Sequence, residues 1–160
     1  GVEQASNDIR RAIDSLHDQF PLQFTLQEQL SSLVDEFKGN SSRIRWDNQA
    51  NIPLILTHPK AEQVLRLVRE ALINIQKHSQ ATEIWVKLKR LNGTAILNVE
   101  DNGVGFNPQD LPLDDRPRFG LKIMQARAAR LDGKVEIHSQ PNQGTQIVLS
   151  WPLEDGQSDG

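Results

Sequence analysis

Several stretches of this chain set polar side chains where they could do chemistry. In I-L-N-V-E-D, residues 96–101, Leu97 and Val99 share one face of a strand, and Asp101 is the next residue on that face. A carboxylate there ends an apolar layer, and taking it out of water is costly unless donors meet it. In T-Q-I-V-L-S-W, residues 145–151, Thr145 has the parity of Ile147 and Leu149, so a second polar group meets that apolar face at a strand end. Two such groups at the rim of an apolar slot suit a flat heterocycle carrying an exocyclic amine. Gly103 and Gly105 follow Asp101 directly and would let backbone approach the ring with no Cβ in the way. The alternative is a plain turn in which Asp101 and Asn102 cap their own backbone. On this stretch alone, the turn is the simpler reading.

A second group lies on a helical pattern. Glu70, Asn74 and Lys77 fall at i, i+4 and i+7 on a stripe opposite the apolar face, with His78 beside it. Asparagine in mid-helix costs about 0.5 kcal/mol against alanine, so it invites a reason. Glu and Asn oxygens one turn apart could serve a hard cation such as Mg²⁺, directly or through water. The alternative is a solvated face carrying an Arg66–Glu70 pair. Third, F-G-L-K-I-M (119–124) opens a helix with Gly120 at its head, and a bare helix N-terminus receives anions. His58 and His138 have no metal-ligand spacing and read as surface residues.

The elements that must position these groups follow from periodicity. Ile9, Ile13, Leu16 and Phe20 form a short heptad seam that Pro21 ends, the last turns of a longer helix or an ordinary amphipathic one. Thr25 with Glu28 makes a capping box, Leu26, Leu30, Leu33, Val34 and Phe37 follow at helical spacing, and Gly39 suits the C′ position. R-I-R-W (43–46) predicts a strand. Pro59 stands in the first turn of a long helix with Ala61, Val64, Leu65, Val68, Ala71, Leu72 and Ile75 on one face. Two apolar runs around Asn92-Gly93 predict a hairpin pairing Leu88 with Leu97 and Val86 with Val99. Residues 106–118 hold three prolines and should be a mobile loop, followed by a helix from about Gly120 to Leu131 and strands at 135–138 and 145–151. The whole predicts an α+β two-layer sandwich, a mixed sheet with helices on one face. A polar tail, 154–160, is expected to be disordered.

Bulk properties narrow the function. The chain has 160 residues, 37% hydrophobic and 24% charged, and room for one domain with a real core. A net charge of −3 speaks against a nucleic-acid surface built on phosphate contacts. With no cysteine there is no disulfide or thiolate metal site, which fits a reducing compartment. No apolar run approaches the ~20 residues of a membrane span, and nothing resembles a signal peptide.

The order of these signals is more specific than any one of them. R-E-A-L-I-N-I-Q-K-H-S-Q-A (69–81), D-N-G-V-G-F (101–106), G-L-K-I-M-Q-A-R-A (120–128) and Q-G-T-Q-I (143–147) resemble the N box, the two glycine motifs and the late Gly-Thr motif of sensor histidine kinases. The similarity, over about residues 25–152, is to their catalytic ATP-binding domain, in the gyrase-like superfamily with the Bergerat fold, and most to the nitrate/nitrite-sensor subfamily. It implies ATP and Mg²⁺ as cofactors. Asn74 would ligate Mg²⁺, Glu70 would act near the γ-phosphate and could reach the metal through water, and Lys77 and His78 would contact phosphate. Asp101 would accept the adenine amine with Thr145 in support through water. Gly103, Gly105, Gly120 and Gly144 would permit tight backbone, Phe106 and Leu121 would flank the nucleotide, and residues 106–119 would form an ATP lid.

Two positions depart from the pattern. Arg118-Phe119-Gly120 stands where many kinases have a second glycine, and Ala126 replaces a common acid. The resemblance implies residues 1–24 as the end of a dimerisation helix and linker, and 25–153 as the catalytic domain. It further implies a cytoplasmic, monomeric fragment of a homodimeric parent that could be membrane-anchored, with a dimerisation and phosphoacceptor domain and a response regulator receiver as partners. Rival readings are an anti-sigma-factor-type serine kinase and a nucleotide-binding module without transferase activity. L-H-D-Q (16–19) looks like an acceptor motif, yet Pro21 ends its helix and no return helix fits before Thr25, so His17 is not expected to accept phosphate.

Overall fold

The computed structural model describes residues 24–39, 43–106 and 116–154. The expected heptad seam, His17, most of the proline-rich loop and the tail beyond residue 154 lie outside the described residues. Helix α1 runs Leu26–Phe37 and β1 Arg43–Asn48; α2 follows at His58–His78. Strands β2 (Glu83–Leu91) and β3 (Thr94–Asp101) lead to α3 (Arg116–Ala129), then β4 (Lys134–Ser139) and β5 (Thr145–Pro152).

The local signals account for most of these boundaries. Thr25 Oγ1 accepts the Glu28 N–H at 3.0 Å, closing the capping box, and Gly39 takes φ +93° just past the end of α1. Asn92 and Gly93 both have positive φ, as a two-residue hairpin turn requires, and this sets Leu88 opposite Leu97 and Val86 opposite Val99. The five strands stand in the order β1-β2-β3-β5-β4. β1 pairs with β2 in parallel, with α2 as the crossover, and every other pair is antiparallel.

All three helices pack on the sheet, α1 at β1, α2 at β3, and α3 at β4 and β5. The layer between them buries Ile84, Val86 and Leu88, then Leu97 and Val99, then Ile147 and Leu149, alternate residues on three adjacent strands. Trp151 closes this layer at one end. At the other, Asp101 and Thr145 are register partners on the last rung.

Two expectations need correction. Leu67, not Leu65, sits fully in the core from α2, because the helix turns the face that includes Val64, Val68 and Ala71 toward the sheet. The last helix begins at Arg116 with Pro117 in its first turn, where a missing N–H costs nothing, rather than at Gly120. Leu67→Ala should therefore cost about 3 kcal/mol in urea unfolding, and Leu65→Ala, only packed against the core's edge, less than half of that.

Candidate functional site

Asp101, Thr145 and Ser139 form one row across β3, β5 and β4 at the same end of the sheet. Asp101 is 6% exposed. Its Oδ1 accepts the Gly103 N–H at 2.7 Å, while Oδ2 is buried without a hydrogen-bond partner among the described residues. Burial pushes this carboxyl above its usual range, and the backbone amides of Gly103 and Thr145 offset only part of that push. The turn reading holds for Asp101 in part. One oxygen makes the local turn, and the other faces inward with nothing to accept. Asn102 does not cap its own backbone; its Oδ1 receives the Thr82 and Glu83 N–H groups at 3.0 and 2.9 Å and fixes the start of β2.

Ser139 was missed by a strand reading that stopped at His138. It shares the parity of Val135 and Ile137, the signal that singled out Thr145 on the neighbouring strand. Its Oγ lies 2.8 Å from Thr145 Oγ1, accepts the Phe106 N–H at 2.9 Å, and donates to the Gly144 carbonyl at 3.1 Å. The Asn142 N–H donates to the Val104 carbonyl at 2.5 Å, so residues 104–106 are held against the β4–β5 turn.

Two of the glycines lie where backbone packs tightly. A Cβ on Gly103 would collide with the Ser79 backbone at the end of α2, and one on Gly144 would collide with the Asp101 carbonyl. Their absent side chains let three backbones meet around Asp101.

A cavity of about 310 Å³ opens beside this row. Its walls include Asp101, Thr145, Gly105, Phe106 and Leu121, and the turn of α2 that carries Asn74, Lys77 and His78. Ala71, Ile75, Met124, Ile137 and Ile147 make the rest largely apolar. Gly144 lines a second groove of about 490 Å³ that also has Asp101 and Thr145 in its wall.

Glu70 is not in the cavity wall, and the Arg66–Glu70 pair does not form. Arg66 pairs with Glu62 at 2.6 Å, while Glu70 Oε1 faces Arg127 Nη2 of α3 at 3.8 Å. Arg127 also donates to Gln63 Oε1 at 3.3 Å, so this cluster joins α2 to α3 instead of facing solvent on an open stripe. Gly120 is the fifth residue of α3, so the expected anion site at a helix head does not start there. His138 is exposed, 3.4 Å from Glu136. Among the described residues no three acidic or histidine side chains gather as a metal site, and no helix is long and apolar enough to cross a membrane.

A raised carboxyl has a measurable consequence. Asp101 holds its proton more tightly folded than unfolded, so its contribution to stability is full below 3.8 and is lost as pH rises through the folded value. Asp101→Asn removes that loss. The unfolding free energy of the variant minus that of the ligand-free parent should therefore rise with pH across this window, in urea titrations from about pH 3.5 upward.

Residues 60–155 match the family model described as histidine kinase-, DNA gyrase B-, and HSP90-like ATPase. The sensor histidine kinase LiaS of Bacillus subtilis is 34% identical over 129 residues, covering 80% of this chain and 34% of LiaS. The nitrate/nitrite sensor protein NarQ of Escherichia coli is 28% identical over 159 residues, covering 96% of this chain and 27% of NarQ. The chain thus spans about a third or less of these relatives. The Acinetobacter baumannii histidine kinase AdeS shares the fold at a TM-score of 0.68 and 16% identity, over 96% of this chain and 81% of that one. The chain belongs to the histidine kinase-, DNA gyrase B-, and HSP90-like ATPase family, as an ATP-binding domain of the kind found in sensor histidine kinases.

Proposed function

We propose that this chain is the catalytic domain of a sensor histidine kinase, and that its cavity holds ATP with the adenine amine on Asp101 Oδ2. The observation that carries the reading is that buried, unpartnered oxygen at the end of an apolar layer. A carboxylate acceptor desolvated in this way gains most from a ligand N–H. The apolar walls from Ile75, Met124, Ile137 and Ile147 fit the faces of a flat base.

Asn74, Lys77 and His78 lie on the last turns of α2, exposed and in the cavity wall, where cationic side chains can meet phosphate oxygens. Asn74 would offer one amide oxygen to Mg²⁺, an ion that takes most of its ligands from phosphates and water. When bound there, Mg²⁺ would supply charge neutralisation. Glu70, one turn before Asn74 and oriented by Arg127, is assigned to positioning near the γ-phosphate. The phosphoryl group then passes from the ADP oxygen to an imidazole nitrogen by alignment and charge stabilisation.

In this reading residues 25–153 are the catalytic unit of a cytoplasmic kinase region, and 1–24 lead in from a dimerisation helix. The acceptor histidine sits on the parent's dimerisation domain, and a response regulator receives the phosphoryl group next. His17 is not that acceptor.

Titration calorimetry on Asp101→Asn should show ATP affinity lower by about 100-fold, because an amide N–H would face the adenine amine donor to donor. Parent-like affinity would remove Asp101 from the base site. Asn74→Ala should weaken Mg-ATP binding while adenosine binding is unchanged, and equal losses for both would assign Asn74 to folding instead. With radiolabelled ATP, the chain should label a separately supplied dimerisation domain at an acid-labile site and leave itself unlabelled. Acid-labile label on this chain that is lost in His17→Gln would overturn the acceptor assignment, and acid-stable label on a partner would favour the serine-kinase reading.

A further inference from the structure

We infer that Ser139 is a positioning residue for base selection, which fixes the Thr145 hydroxyl as an acceptor toward the cavity. The inference rests on the nucleotide reading above and adds to it a residue on a third strand.

The argument is a count of protons. Ser139 has one hydroxyl hydrogen and two lone pairs. Its neighbours are the Phe106 N–H at 2.9 Å, the Gly144 carbonyl at 3.1 Å and Thr145 Oγ1 at 2.8 Å. The amide can only donate and the carbonyl can only accept. If Ser139 donates to the Gly144 carbonyl, the contact with Thr145 must run from Thr145 to Ser139. Ser139 then gives one hydrogen bond and receives two, its full complement. In the opposite arrangement Ser139 donates to Thr145, and the Gly144 carbonyl loses the hydroxyl donor placed beside it. The first arrangement satisfies all three neighbours.

With its hydrogen on Ser139, Thr145 can offer only lone pairs to the cavity. Asp101, its register partner, is likewise an acceptor there when ionised. Two adjacent acceptors meet hydrogens on a ligand amine or on a water donating between them. They repel a carbonyl at the same position. Discrimination between a 6-amino and a 6-oxo purine is thus set by two residues in the cavity wall and a third behind them. Phe106 N–H shares the same serine oxygen, so the backbone at Phe106 is tied to this network.

The test compares ATP with inosine triphosphate, which replaces the amine by an oxo group. In Ser139→Ala the Thr145 hydroxyl is free to turn and donate into the cavity, so the ATP-to-ITP affinity ratio should fall about tenfold. Loss of the Phe106 anchor weakens both nucleotides alike and cancels in the ratio. Ser139→Thr, which keeps the hydroxyl, should restore the ratio. Thr145→Val should lower it by itself, and adding Ser139→Ala to that background should change it no further. An unchanged ratio in Ser139→Ala, or a second fall in the double variant, would overturn the inference. Should Ser139→Ala not fold, an unchanged ratio in Thr145→Val would overturn it equally. A parent chain that binds neither nucleotide would sink the nucleotide reading itself, whereas a parent that prefers ATP with an unaltered variant ratio would sink only the role of Ser139.

Discussion

A carboxylate is held at the end of an apolar layer, and much of the local architecture exists to keep it there. Asp101 continues the face of Leu97 and Val99, so burial follows from strand parity alone. The end of α2 and the β4–β5 turn both close in on the backbone beside it. Those elements can approach only because Gly103 and Gly144 carry no side chain. The Gly103 amide holds Oδ1 and the Thr145 amide also favours the carboxylate, while Oδ2 has no hydrogen-bond partner among the described residues. A buried oxygen left in this way costs the ligand-free fold stability and becomes favourable when a donor arrives. Stability is given up at the point where recognition requires it.

The rest of the cavity follows from the sheet. Because β5 lies between β3 and β4, Asp101, Thr145 and Ser139 fall on one rung of three paired strands. A row on paired strands is more rigid than a site on a loop, since each position is fixed by ladder hydrogen bonds. The groups proposed to meet phosphate come from the end of a single helix, α2, whose other face is buried in the same core. The proposed base and phosphate sites are therefore joined through the core at Val68, Ala71, Leu72 and Ile75.

How far the sequence carried this depends on whether the relevant physics was local. The Asn92-Gly93 turn fixed a register that the structure reproduces pair for pair at Leu88 and Val86, and parity then placed Asp101 and Thr145 at the same end. The motif order implied the fold, which the family match and the shared fold of AdeS support. What was not legible depends on tertiary placement. Nothing in R-I-R-W says that it pairs with β2 in parallel, and nothing in Glu70 says that its partner is Arg127 from another helix rather than Arg66 one turn away. Ser139 was hidden because a strand ending was drawn one residue short. The start of α3 was misplaced because Pro117 reads as a breaker, though in a first turn it is tolerated.

The central claim is that the unpartnered oxygen of Asp101 is completed by an exocyclic amine, and the ligand can be edited to test it without touching the protein. Purine riboside triphosphate keeps the ring, ribose and phosphates of ATP and lacks only the amine. At pH 7 the unaltered chain should bind ATP at least about tenfold more tightly than this analogue, since a desolvated acceptor would otherwise stay unpaired. Equal affinities for the two nucleotides would contradict the account.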